Sequence, residues 1–294
     1  MTGRASALGG FPWRHYLLPG ITILVFVFLY APIVSLVVFS FNENRLVTVW
    51  SGFSLKWYAS LLQDRQILNA ARVSLEVAGL SASLAVVLGT LAGIALARFG
   101  PFRGRLLLTG MVTAPLVMPE VITGLSLLLL FVSMEQLIGW PAGRSVTTIT
   151  IAHATFAMAY VAVIVQSRVV DLQSDIEDAA ADLGARPMQV FFWITLPMIA
   201  PALVSGWLLA FTLSLDDLVV ASFTAGPGSS TLPMVIFSKI RLGVSPDVNA
   251  LASILIFLVG IGVGIAAWQM RRAAANRARR ADEAAQQLRD GRDS

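Results

Sequence analysis

Six long apolar stretches joined by charged connections limit this chain more than any other feature. They run over about Leu17 to Phe41, Ala71 to Ala97, Leu106 to Ser133, Val146 to Gln166, Met198 to Phe223 and Asn249 to Met270. An α-helix rises ~1.5 Å per residue, so each stretch is long enough to cross a hydrocarbon core of ~30 Å. Of the 294 residues, 56% are hydrophobic and only 13% charged, too little polar surface to clothe a soluble core of this size. The sequence therefore predicts an all-α membrane protein in a lipid bilayer. Residues 1–16 precede the first span, 17–270 form the membrane domain and 271–294 form a tail. The first stretch is longer than the apolar region of a signal peptide, and no small-residue cleavage site follows Phe41, so it reads as an uncleaved span.

An even number of spans puts both termini on one side. Placing that side in the cytoplasm gives the inner face 14 Lys and Arg and the opposite face 7, the asymmetry expected of membrane helices. Most of the excess Arg lies in loops and in the tail, so the basic balance calls for no nucleic acid. The absence of Cys excludes disulfides, zinc–thiolate sites and thiol nucleophiles, and no metal site or catalytic residue is expected. Pro32, Pro115, Pro119 and Pro201 lie within or at the ends of spans, where kinked helices can surround a cavity. In the long outer loop 42–70, Trp50, Trp57 and Tyr58 suit the membrane interface or a partner's surface. Between residues 225 and 248, the patch from Leu232 to Ile240 is too short to cross and reads as a surface or re-entrant helix.

The inner loop 167–197 is more specific. Ser174 and Glu177 form a capping box, and Asp175, Glu177 and Asp178 load the first turn of a short helix with negative charge. Gly184 ends that helix. Pro187 opens a second one, whose apolar positions Met188, Val190, Phe191, Phe192, Ile194 and Leu196 run on to Pro197. The spacing Asp178-Ala179-Ala180, Gly184, Ile194 and Leu196-Pro197 resembles the loop signature of binding-protein-dependent ABC importer permeases. It departs from that pattern in having Asp178 where Glu is usual, with Glu177 alongside.

The resemblance implies a type I ABC importer permease (MetI-like) fold with six transmembrane helices, in which this loop is a cytoplasmic coupling helix seated in a groove of an ATPase. Glu177, Asp178, Ala179, Ala180, Gly184, Ile194, Leu196 and Pro197 are then the coupling residues. The competing reading is an ordinary amphipathic helix pair at the inner surface. No Gly-x-x-x-x-Gly-Lys-Ser/Thr loop occurs, so ATP and Mg are expected on a partner ATPase, with no cofactor in this chain and no enzymatic activity of its own.

Four carboxylates, Glu76, Glu120, Asp216 and Asp217, fall within predicted spans, where a lipid-facing charge costs about 2.5–3.5 kcal/mol on insertion scales. Counted along continuous helices, Glu120 lies roughly 21 Å and Asp216 roughly 27 Å from the inner face, and Glu76 about 8 Å below the outer one. All four would crowd the outer third and attract a cation rather than an anion. Trp207, Phe211, Ser214 and either Asp217 or Leu218 share a face of the fifth span, so a ring could hold an ammonium beside a carboxylate. Asp216 and Asp217 project about 100° apart, so one is expected in the pathway and the other on a partner subunit or a backbone group. Ordinary helix packing competes for Trp207 and Phe211, and a structural hydrogen bond for Glu76. His153, among Thr150, Thr155 and Tyr160, reads as a satisfied core residue rather than a ligand.

The run from Gly206 to Asp217, with Gly226-Pro227, Leu232-Pro233 and Gly243 to Ala250, is similar to the permeases of spermidine and putrescine importers, closest to the putrescine branch. The likeness implies a bacterial inner-membrane subunit forming half of a polyamine pathway. Its partners would be a second homologous permease, two copies of a cytoplasmic ATPase and a periplasmic polyamine-binding protein. Another cationic cargo, or a proton-coupled secondary transporter using the same carboxylates, are the remaining readings.

Overall fold

The structure, a computed structural model, describes residues 14–45, 49–172, 175–243, 246–262, 264, 265, 268, 271 and 272. Ser174 and most of the tail, both used in the sequence reading, lie outside these residues. The helices are α1 Arg14–Phe39, α2 Lys56–Leu61, α3 Arg65–Arg98, α4 Arg105–Val117, α5 Glu120–Ile138 and α6 Val146–Asp171. After them come α7 Asp175–Asp182, α8 Pro187–Val190, a π-helical turn Phe191–Thr195, α9 Leu196–Asp216, α10 Val219–Thr224, α11 Leu232–Leu242 and α12 Pro246–Gly262. Extended pairing among the described residues is limited to one isolated bridge, Asn42 with Phe53. Among the described residues, five helices are long and apolar enough to cross a membrane, namely Leu17–Phe39, α3, α5, α6 and the continuous run Pro187–Asp216.

The chain divides into two compact units. One comprises Met1–Gln63 and Gly243–Ser294. In it, α1 is apolar on every side, and none of its most hydrophobic window is buried, which suits a helix surrounded by lipid or by another subunit. The loop after α1 is organised by Asn42, a fully buried polar side chain. Its Nδ2 donates to the Val49 carbonyl (2.7 Å), its Oδ1 accepts from the Ser51 N–H (3.0 Å), and its carbonyl accepts from Trp57 Nε1 (2.7 Å). The Tyr58 hydroxyl is 2.7 Å from Ser40 Oγ, and its ring stacks on Phe41. Trp57 and Tyr58 are thus tied inside this loop through their polar ends. Trp50 remains half exposed against the edge of Phe39.

The other unit, Asp64–Leu242, is centred on α6, whose apolar window is 61% buried and packs against both α3 and α9. Where lipid is as apolar as a side chain, helices associate by close packing and polar cross-links, and small residues permit both. Ala82, Ala85, Ala157, Val161, Val165, Ile199 and Ala210 make the core of this trio. At Gly89 a Cβ would lie 2.7 Å from Val161 Cβ and 2.8 Å from the Met158 carbonyl. At Gly93 it would lie 2.8 Å from the Ala162 carbonyl. Ser81 Oγ donates to the Thr150 carbonyl (3.1 Å) and Thr148 Oγ1 to the Thr224 carbonyl (2.8 Å), fastening α3 and α10 to α6.

The spans differ from expectation in three places. The stretch Leu106 to Ser133 is not one helix: it is α4 and α5, with Met118 and Pro119 extended between them (ψ 136° and 135°). Pro119 has no N–H to donate, and its ring disfavours helical geometry at Met118. Met198 to Phe223 is also divided, at Asp217 and Leu218, for a reason given below. The second span starts earlier than Ala71, at Arg65, because Asp64 caps it by accepting the N–H groups of Gln66 (2.9 Å) and Ile67 (3.2 Å). Partial burial raises the affinity of Asp64 for a proton, but Lys239 of α11, 3.0 Å away, and the two backbone N–H groups outweigh it and hold the carboxyl below its ordinary value. In the sixth stretch, α12 covers Pro246–Gly262, and part of its expected continuation to Met270 lies outside the described residues.

The α3–α6 contact predicts a contrast between two glycines of one helix. Gly89→Ala is expected to destabilise the protein by about 1–3 kcal/mol through overpacking against α6. Gly79→Ala, where a Cβ meets nothing within 4 Å, should leave stability unchanged or raise it by up to ~1 kcal/mol from helix propensity. Thermal unfolding in detergent measures both.

Candidate functional site

Asp217 explains the break at the end of α9. Its backbone is extended (φ −66°, ψ 126°), and its carboxylate accepts the N–H groups of Val220 (3.3 Å) and Ala221 (2.7 Å) at the start of α10. A short acidic side chain that satisfies the next turn's orphan donors competes with helix continuation, and here it wins. Behind it, His153 of α6 is wholly buried, with Nδ1 2.7 Å from Ser214 Oγ and Nε2 3.0 Å from Asp217 Oδ2. The Nε2 contact is one of proximity and lacks hydrogen-bond alignment. The Phe156 ring meets the His153 ring edge-on at 5.7 Å. This Ser, His and Asp constellation resembles a hydrolytic triad in composition only: Ser214 is buried and does not line the adjoining cleft.

That cleft, of about 520 Å³, opens where the two helix breaks meet. Met118 and Pro119 form one wall, with Glu120 on the first turn of α5, where the helix dipole favours a negative charge. Asp216 and Asp217 form the other. Phe156 and Tyr160, one turn apart on α6, supply the aromatic side. Three carboxylates and no Lys, Arg or His line the cleft among the described residues. Glu120 and Asp216 are exposed whereas Asp217 is 9% exposed, so the first two are available to a ligand and the third is committed to the backbone. Such a cleft can hold a cation between carboxylates and π-faces.

The structure thus brings Glu120, Asp216 and Asp217 together and leaves Trp207, Phe211, Ser214 and Glu76 out of the lining. The shared face of α9 is real, but it packs inward. Trp207 and Phe211 stack on each other (5.1 Å, 16°) against the α3–α6 core, and Trp207 Nε1 donates to Ser83 Oγ at 3.2 Å. Glu76 is exposed on α3 and does not line the cleft. The depth of Glu120, counted along an unbroken helix, also loses its basis at Met118–Pro119. Sequence reasoning missed Phe156 as a lining residue and treated Tyr160 only as a neighbour of His153. Their four-residue spacing on one helix face was the available signal.

The second group of expected residues lies at the other end of α9. Gly184, at φ +86°, provides the left-handed turn between α7 and α8 that a side chain would strain. The second helix of the loop continues as α8, the π turn and α9 in one piece. Pro197 cannot donate to the Trp193 carbonyl, and the Leu196 N–H instead reaches the Phe191 carbonyl five residues back. Asp178 and Ala179 are exposed, Ala180 and Ile194 half buried, Leu196 packed on the core, and Pro197 exposed. Glu177 behaves differently from its neighbour: it turns inward, with Oε2 3.1 Å from Arg98 Nη2 and Oε1 accepting from Thr195 Oγ1 at 2.7 Å.

The two aspartates should separate in experiment. Asp217→Ala strands buried N–H groups and is expected to cost about 1–3 kcal/mol. Asp216→Asn, at an exposed position, should stay within about 0.5 kcal/mol of the parent. Unfolding midpoints of the purified variants test this.

Comparison with known proteins agrees with this architecture. Residues 86–280 match the family described as binding-protein-dependent transport system inner membrane component. The chain is 57% identical over 259 residues to the putrescine transport system permease protein PotI of Escherichia coli (strain K12), covering 88% of this chain and 90% of that one. It is 39% identical over 239 residues to the spermidine/putrescine transport system permease protein PotC of the same strain, covering 81% and 88%. Among solved structures, a bacterial ABC transporter involved in the import of the acidic polysaccharide alginate superposes with a TM-score of 0.66 at 14% identity, over 90% of this chain and 99% of that one. The inward-facing MetNI methionine ABC transporter gives 0.56 at 17% identity, over 75% and 99%, which shows a shared fold. By the extent of these matches, the chain belongs to the family of binding-protein-dependent transport system inner membrane components.

Proposed function

We propose that this chain is one permease subunit of an ATP-driven polyamine importer, lining half of a pathway through the bacterial inner membrane for putrescine or spermidine. The observation that carries the reading is the 57% identity to a putrescine permease over 88% of the chain. The cleft supports it: exposed Glu120 and Asp216 beside Phe156 and Tyr160 match the needs of an alkyl-diammonium ion, whose charges seek carboxylates and whose methylenes seek rings. In this reading six segments cross the bilayer, the apolar stretch Asn249 to Met270 supplying the last, and both termini are cytoplasmic.

The α7–Gly184–α8 segment then docks on a cytoplasmic ATPase, which binds ATP and Mg. Its exposed Asp178 and Ala179, with the apolar side chains of Ile176, Leu183 and Met188, form a surface suited to a groove. The remaining partners are a homologous second permease, a second ATPase copy and a periplasmic polyamine-binding protein. An alginate-transporter relative solved with a periplasmic protein supplies the precedent for the last.

The test is uptake of labelled putrescine and spermidine into vesicles containing the reconstituted complex. Uptake is expected to require ATP inside and to survive collapse of the proton gradient. Transport that persists without ATP, or that stops with the gradient while ATP is maintained, overturns the reading in favour of a proton-coupled carrier. Asp216→Asn is expected to raise the half-saturating polyamine concentration about 5- to 30-fold, the loss of one desolvated charge contact of about 1–2 kcal/mol.

A further inference from the structure

The α7 helix is attached to the rest of its unit in an unusual way. None of its residues is buried, so no apolar face fastens it. Between it and the spans lies a cleft of about 300 Å³, bounded by Val169, Phe191 and Thr195, where side chains would otherwise interlock. What crosses this gap is Glu177. One carboxylate oxygen meets the Arg98 guanidinium, in the last turn of α3 (3.1 Å), and the other accepts the Thr195 hydroxyl, in the π turn that leads into α9 (2.7 Å). Arg98 also sits where a cation is favoured by the carbonyl end of α3.

We infer that Glu177 belongs to a transmission latch rather than to the surface offered to the ATPase: it is a positioning residue that passes movement of α7 simultaneously to the ends of α3 and α9. This rests on the importer reading above. The adjoining Asp178 also borders this cleft but is exposed on the same helix, where its carboxylate is accessible to a partner. The π turn fits the same role. Thr195 Oγ1 fixes the one place where the α8–α9 rod departs from regular helix, so a pull on Glu177 acts at the point of the rod most able to change its winding. The other end of that rod carries Asp216. The latch therefore connects the docking segment both to the central α3–α6 pair and to the acidic cleft.

The experiment uses the whole complex in vesicles and reads ATP hydrolysis and polyamine uptake in the same preparation, with co-purification of the ATPase as the third readout. Glu177→Ala and Thr195→Val are expected to retain the ATPase and its hydrolysis while uptake per ATP falls about five- to tenfold, within the range of typical coupling energies. The pair Arg98→Glu with Glu177→Arg should recover most of what each single reversal loses. Loss of ATPase co-purification in Glu177→Ala, with Thr195→Val silent, overturns the proposal and makes Glu177 a docking contact. Unchanged uptake per ATP in both variants overturns it as well. Thr195→Val alters no charge and little volume, so it reports even if Glu177→Ala does not assemble. Failure of the importer reading itself is distinct, because the parent complex would then show no ATP-dependent uptake.

Discussion

Backbone N–H and C=O groups with no water to receive them are the constraint on which this structure depends. A helix crossing lipid can be interrupted only where the protein itself supplies the missing partners. The α9–α10 break is the clearest case. The Asp217 carboxylate takes two backbone donors, and behind it His153 of α6 stands between Asp217 and Ser214 of α9. The α4–α5 break uses proline instead, removing a donor rather than satisfying one. The cleft exists because the two interruptions face each other.

The same economy governs the packing. With no hydrophobic difference between lipid and side chain, α3 and α6 are held by the approach that Gly89 and Gly93 allow and by hydroxyl-to-carbonyl links such as Ser81 to Thr150. This rigid pair gives α9 a surface to lie on, and Trp207 and Phe211 are spent in that contact. An aromatic stripe near an acidic pair is thus insufficient to identify a ligand site. Its direction relative to the core decides whether it meets a ligand or a neighbouring helix.

Much was legible without coordinates. Apolar length and proline and glycine placement located most helix bodies, including the start of α6 at Val146 and the α7–Gly184–α8 turn. The identity of the acidic cluster was legible in part: one of two adjacent aspartates had to bond to backbone or a partner, and Asp217 is the one that bonds to backbone. Trp207, Phe211, Ser214 and Glu76 do not line the cleft that holds Glu120 and Asp216, because helical periodicity defines a shared face without its orientation. Glu177 and Asp178 show the same limit on a smaller scale. Both are acidic and both lie on one short helix, but a rotation of about 100° sends one to Arg98 and Thr195 and leaves the other exposed.

The sequence by itself determined that the chain is helical and membrane-embedded, that it carries no phosphate-binding loop, and that its inner loop and acidic residues follow one transporter pattern. These properties are set by composition and by short-range spacing. Only the tertiary structure decided which carboxylates face a cavity and which are consumed as caps, where two spans break, and that Glu177 ties three elements together. Each of those depends on which residue of a distant helix stands opposite, a relation that local sequence does not encode.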